Sequence, residues 1–196
     1  MPSAVLVAMD TWLNTKLEFI AEAWRQKGGW EGWSQVEIAF MLKAAYKDNC
    51  TVEREDYVYK NAPKKKADVV LTLHGAGGHE SLEVLELKCL GERRELSEFI
   101  KSVMEDITKI QEGTFKVGDV RPWAMVLVVN EDSKKKIKKE MEARRRWVND
   151  GTGPPIMIDH VNEYHYTAGD IVVYLLVFLM PVNLEVDNLS ALGVAI

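Results

Sequence analysis

A chain of 196 residues is long enough to bury one genuine core, and its 47% hydrophobic and 28% charged content fits a globular protein and not a disordered one. The longest apolar run, residues 171–180, reaches about half of the roughly 20 residues that a membrane-spanning helix needs, so no membrane span is expected. The net charge of −5 is unevenly spread: residues 134–146 hold eight Lys and Arg against Glu140 and Glu142, a surplus of six that leaves −11 on the remainder. Such asymmetry allows a basic contact surface on an acidic body.

Leu13, Leu17, Ile20, Ala21 and Trp24 recur at helical spacing and predict an amphipathic helix over 11–26. Gly28, Gly29 and Gly32, interleaved with Trp30 and Trp33, form the turn after it. Ser34 and Glu37 then make an S-x-x-E capping box that opens a second helix over 34–47. Val52, Tyr57, Val58 and Tyr59 mark a strand over 50–59, which Asn61-Ala62-Pro63 and three lysines end. A second strand follows at 67–73, and a glycine-rich connection leads to a third at 81–90. Residues 94–112 read as a helix with an apolar stripe of Leu96, Phe99, Ile100, Val103, Ile107 and Ile110. A fourth strand, 122–130, precedes a basic helix, 133–148, anchored by Ile137, Met141 and Trp147 or Val148, with its Lys and Arg pointing outward. Pro154 and Pro155 mark a loop before two last strands near 156–161 and 170–180. The last is apolar throughout, as expected of a strand buried on both faces or packed against a second copy of the chain.

The expected architecture is one α/β domain over 1–196, a mixed central sheet flanked by helices, in the order α-α-β-β-β-α-β-α-β-β. Two cysteines, Cys50 and Cys89, do not make a disulfide framework, and no Cys/His spacing fits a zinc site. With no basic, apolar leader at the start, reduced thiols in an intracellular protein, cytoplasmic or nuclear, are expected.

In the third strand, alternation puts Glu86 and Lys88 on the side of Leu82 and Val84, and Leu85, Leu87 and Cys89 on the other. Ions near a packed interior cost on the order of several kcal/mol each unless partnered, so a strand built for stability alone would carry Val or Thr there. Asp68 adds a second carboxylate near the start of the neighbouring strand. E-x-K alone is a weak signal. Asp132-Ser133-Lys134 also fits the pattern, but at a helix entrance, where acids are common for dipole reasons, and it is set aside.

The arrangement carries more: helix, strand, strand with Asp68, hairpin, strand with Glu86-Leu87-Lys88, helix, strand. With Lys64-Lys65-Lys66-Ala67-Asp68-Val69-Val70-Leu71 and Leu85-Glu86-Leu87-Lys88, it resembles the PD-(D/E)xK, restriction-endonuclease-like nuclease superfamily. The resemblance covers a core of about residues 34–130, leaving 131–196 as a C-terminal extension, and Ala67 stands in place of the proline. It implies a restriction-endonuclease-like fold and a divalent-metal-dependent nuclease hydrolysing phosphodiester bonds of DNA or RNA. Asp68 and Glu86 would bind Mg²⁺ or Mn²⁺, and the Leu87 carbonyl would join the metal shell. Lys88 would orient or deprotonate the attacking water and neutralise the transition state.

Glu37 is either a third acid facing the metal or the capping partner of Ser34, and Glu55 is an accessory ligand or part of a solvated strand edge. Lys109 matches a phosphate-touching lysine of such nucleases, although the helical wheel turns it toward solvent. Lys134, Lys138 and Arg145 are candidate phosphate-backbone contacts, or else a solvated helix face. Residues 75–78 lack the G-K-[ST] of a phosphate loop. His74, His79, His160 and His165 read as surface groups, and Cys89 as a buried thiol. The competing reading is a catalytically silent protein of this fold, acting as a nucleic-acid-binding module or a dimeric interaction module.

Overall fold

The computed structural model describes residues 3–27, 29–116, 119–147, 160–168 and 171–179. Four helices, α1 (Ala4–Arg25), α2 (Glu31–Tyr46), α3 (Leu96–Glu112) and α4 (Glu131–Trp147), flank six strands. These are β1 (Cys50–Asp56), β2 (Ala67–His74), β3 (Glu80–Cys89), β4 (Val120–Val128), β5 (His160–Ala168) and β6 (Ile171–Leu179). They form one mixed α/β sheet ordered β1-β2-β3-β4-β6-β5, in which only β3 and β4 run parallel. α3 is the crossover that this parallel pair requires.

Period-two alternation sorts the strand side chains onto two faces. Val69, Leu71, Leu85, Leu87, Met125, Leu127, Leu175 and Val177 pack beneath α1 and α2 with Trp12, Leu13, Ile20 and Ile38. The opposite face carries two separate apolar clusters. One joins Ala124, Val126, Leu176 and Phe178 to Phe99, Val103 and Ile107 of α3 and Ile137 and Met141 of α4. The other gathers Val70, Leu82 and Val84 with Val58, Tyr59 and Val120. Along β3 the second cluster ends at Val84 and the first resumes at Leu90; Glu86 and Lys88 stand between.

Several boundaries differ from the sequence reading, each for a tertiary reason. α1 starts at Ala4, not near residue 11, because Ser3 caps it by accepting from Leu6 N–H at 3.3 Å. A buried carboxylate reinforces that end. Glu83 of β3 accepts from Ala4 N–H and Val5 N–H, both at 3.1 Å, and from the Ser3 hydroxyl. α2 opens at Glu31, so Ser34 is a buried residue inside the helix, donating to the Trp30 carbonyl at 2.9 Å, and no capping box forms. The first strand ends at Asp56, leaving Tyr59 as a single bridge to Phe115. The penultimate strand is described at His160–Ala168, paired along its length with β6, and so runs beyond the expected end at 161; residues 156–159 lie outside the described residues. β6 is interior, with β4 and β5 on its two edges and a core on each face, which accounts for its apolar composition.

The basic helix also serves the fold. Lys134, expected to point outward, is buried and reaches Glu163 of β5 at 2.7 Å, as does Lys138. From the other face, the Tyr166 hydroxyl of β5 donates to Asp10 of α1 at 2.9 Å. These contacts clasp an edge strand to both helical layers. Lys134 and Lys138, the candidate phosphate contacts, thus both pair with Glu163. The Arg145 side chain and Val148 lie outside the described residues.

Charged acceptors at helix N-termini are worth about 1.5–3 kcal/mol when buried. Glu83→Ala should cost roughly 2 kcal/mol in urea-induced unfolding by orphaning three donors at the start of α1. A loss below about 0.5 kcal/mol would mean that Ser3 alone holds that end.

Candidate metal centre

The pairing of β2 with β3 ends at Val69↔Leu85, and this is where the site opens. Beyond it the Leu87 N–H is met by the Asp68 carboxylate, whose Oδ2 accepts at 2.7 Å. That bond orients Asp68 on the α3-facing side of the sheet, the side of Glu86 and Lys88. Glu86 is 1% exposed, its Oε1 accepting from the Tyr59 hydroxyl at 2.6 Å and its Oε2 from Lys109 Nζ at 2.5 Å.

α3 supplies the lid. Its apolar stripe seats Phe99, Val103, Ile107 and Ile110 on the sheet, and the flank of that stripe brings Asp106 and Lys109, one turn apart, over the gap between the two apolar clusters. Asp68, Glu86 and Asp106 each present an oxygen within 4.8 Å of the others, spaced as ligands of one ion. Lys88 Nζ lies 2.9 Å from Asp106 Oδ2, 3.0 Å from Glu31 Oε1 and 3.9 Å from Asp68 Oδ2. Lys109 Nζ lies 3.3 Å from Asp106 Oδ1 and donates to the Lys66 carbonyl at 3.0 Å. Glu31, at the first position of α2, bridges Lys88 and the Cys89 N–H, which it accepts at 3.2 Å.

Burial and like charge set the electrostatics. Burial first, and the neighbouring Asp106 and Glu31 next, push the Asp68 carboxyl up to about 6 against the pull of Lys88 and Leu87 N–H. Burial and the Asp68 charge push Glu86 up to about 8. Burial alone would lower Lys88, but Asp106, Asp68 and Glu31 hold it above the ordinary lysine value, so it remains an ammonium. Lys109 is raised too, by Glu86 and Asp106 against its burial. Asp106 Oδ2 is buried and its close cationic neighbour is Lys88 Nζ, 2.9 Å away. Three carboxylates grouped this closely offer oxygens that a hard divalent ion could use.

The structure thus brings Asp68, Glu86 and Lys88 together, and adds Lys109, which is tucked under α3 with 13% of its side chain exposed rather than turned to solvent. It leaves out Glu37, which faces α1 and pairs with Lys16 at 3.6 Å, and Glu55, exposed on the edge strand β1. The Leu87 carbonyl accepts from Lys88 Nζ at 3.3 Å, beside the acids. Asp106, Glu31 and Tyr59 were not singled out as ligands or partners from sequence. Asp106-x-x-Lys109 beside an apolar stripe was the available signal for the first, and α2's true start, with an acid at its first position, for the second. No protein-family model matches the chain, and neither a curated protein nor a solved structure matches it significantly.

Carboxyls raised in the folded state hold protons that the unfolded chain has already released. Their contribution is full below the unfolded values near 4 and is lost as pH climbs through about 6 and then about 8. Metal-free protein should therefore become less stable between pH 5 and pH 8, read as a falling thermal midpoint in EDTA. Glu86→Gln should flatten the upper part of that fall. A midpoint that rises over this range would contradict the electrostatics described.

Proposed function

We propose that this protein is a divalent-metal-dependent nuclease of the PD-(D/E)xK type, hydrolysing phosphodiester bonds of DNA or RNA. The observation that carries the reading is the convergence of Asp68, Glu86 and Asp106 within 4.8 Å, with the Lys88 and Lys109 ammoniums among them and a sliver of each side chain except Glu86 open to solvent. With all six groups ionised, the four carboxylates including Glu31 exceed the two ammoniums by two charges. That imbalance matches Mg²⁺ or Mn²⁺, and the all-oxygen donor set matches their preference.

Asp68, Glu86 and Asp106 would hold the ion. When bound, such an ion acidifies water and stabilises charge developing on a phosphodiester. The chain's own residues supply the rest. Lys88, kept protonated by its acidic neighbours, donates to a non-bridging phosphate oxygen and holds the charge that accumulates as water adds to phosphorus. In the metal-free state this makes it an electrostatic group; orienting or deprotonating the attacking water is the role that the family resemblance adds. Lys109 stands on the opposite flank, where it screens Glu86 and offers a second cation to the phosphate. Tyr59, whose hydroxyl burial and the Glu86 charge keep protonated, fixes the Glu86 carboxylate by its 2.6 Å hydrogen bond.

The ion pairs themselves favour a second reading, a nucleic-acid-binding or interaction module without turnover, because Lys88 and Lys109 already partner every acid in the cluster. Cleavage separates the two. The nuclease reading expects Mg²⁺- or Mn²⁺-dependent cutting of plasmid, single-stranded DNA or RNA, abolished by EDTA. Glu86→Gln and Lys88→Ala should each lower the rate by about 100-fold or more while circular dichroism stays unchanged. Full metal-dependent activity in both purified variants would rule the assignment out.

A further inference from the structure

A second feature adjoins the cluster at the C-terminal end of β3. A cleft of about 390 Å³ lies between the α1–α2 turn and the β3–α3 loop, lined by Lys27, Gly29, Glu31, Gly91, Arg93 and Arg94 among others. Its two walls are stitched together: Glu92 N–H donates to the Trp24 carbonyl at 3.1 Å, and Trp30 Nε1–H to the Leu90 carbonyl at 3.2 Å. The cleft is therefore built into the fold. Glu31 is the shared wall, since the carboxylate that lines the cleft is bound to Lys88 and to the Cys89 N–H.

The charges in this cleft do not cancel. Glu31 is spent on Lys88 and the Cys89 N–H. Arg94 is fixed by its bond to the Ser102 hydroxyl at 2.9 Å and its stacking over Phe99, which leaves guanidinium donors over. Lys27 and Arg93 are exposed, and their side chains make no hydrogen bond or ion pair among the described residues. Three cations around a preformed hollow with glycine backbone on two sides make a receptor for a compact, multiply charged anion with several acceptor oxygens. The basic helix, by contrast, has two of its lysines committed to Glu163.

We propose that this cleft binds a phosphate group of the nucleic acid on the strand being cut, through Lys27, Arg93 and Arg94, and so sets which phosphodiester reaches the acidic cluster. The proposal rests on the nuclease reading for its consequence, though not for the binding itself. A phosphate in the cleft is one side chain, Glu31, away from Lys88, so the group bound there belongs to a nucleotide close to the scissile bond. Two sources share this chemistry: a terminal phosphate monoester and a backbone diester.

The test is fluorescence anisotropy in EDTA, where turnover stops, with short single strands carrying a 5′-phosphate, a 3′-phosphate or neither, and with a circular strand as competitor. Inorganic pyrophosphate is titrated by calorimetry in parallel. Lys27→Gln combined with Arg93→Gln should leave the thermal midpoint unchanged, because neither side chain has a partner to lose. Binding should weaken at least tenfold, and the salt slope should drop by about 0.7 for each phosphate contact removed. Arg94→Gln is the second variant and should act in the same direction. A loss confined to phosphorylated ends assigns a terminal monoester, an equal loss on the circle assigns a backbone diester, and either supports the proposal. Undiminished binding with an unchanged salt slope overturns it, even if the wild-type protein cleaves. Pyrophosphate binding that the variants abolish, in a protein that cleaves nothing, upholds the cleft and removes the nuclease. Failure of the wild-type protein to bind any of these probes overturns the cleft.

Discussion

Three carboxylates whose oxygens approach within 4.8 Å repel one another by roughly 3–4 kcal/mol per pair at an effective dielectric near 20, and the site exists only because that repulsion is offset. Lys88 and Lys109 offset part of it. The remainder appears as proton affinity: Asp68 is raised to about 6 and Glu86 to about 8. A divalent cation bound by such acids would take the place of those protons. The same imbalance thus accounts for an unfavourable patch in the core and for the chemistry proposed at it.

The fold is arranged to hold that patch open. β2 leaves β3 one pair before Asp68 would oppose Glu86, so the carboxylate, and not a backbone carbonyl, satisfies Leu87 N–H. The apolar packing on that face divides into two clusters on either side of Glu86 and Lys88, and α3 roofs the gap with Asp106 and Lys109. On the other face the core is continuous, and Glu83 fastens α1 to the same strand. One strand, β3, therefore carries a helix-capping carboxylate toward one layer and a clustered one toward the other, three positions apart along the strand.

What the sequence disclosed was what depends on local periodicity. Strand alternation put Glu86 and Lys88 on one face and sent Leu85, Leu87 and Cys89 to the opposite core, while Asp68 joined them through the order of elements and the resemblance it carries. Positions that depend on distant partners were not legible. Glu31 was hidden because a capping box at Ser34 and Glu37 is a plausible local start, whereas the helix begins earlier, where buried Trp30 is anchored by Leu90, sixty residues away. Lys109 was turned to solvent on a bare helical wheel, and only the seating of α3 on the sheet tips it toward Glu86. Lys134 and Lys138 looked like free cations because Glu163 is remote in the chain. The run of β5 on to Ala168 was not legible because its register comes from β6 and its clasp from Asp10 and Glu163, none of which a proline-marked loop reveals.

The central claim is that Asp68, Glu86 and Asp106 together hold one divalent ion, and titration calorimetry with Mn²⁺ tests it directly. The account predicts a single site per chain, weakened at least about tenfold in Asp106→Asn and in Asp68→Asn, both of which should remain folded. Absence of binding by the wild-type protein, or equal binding by all three proteins, would contradict it.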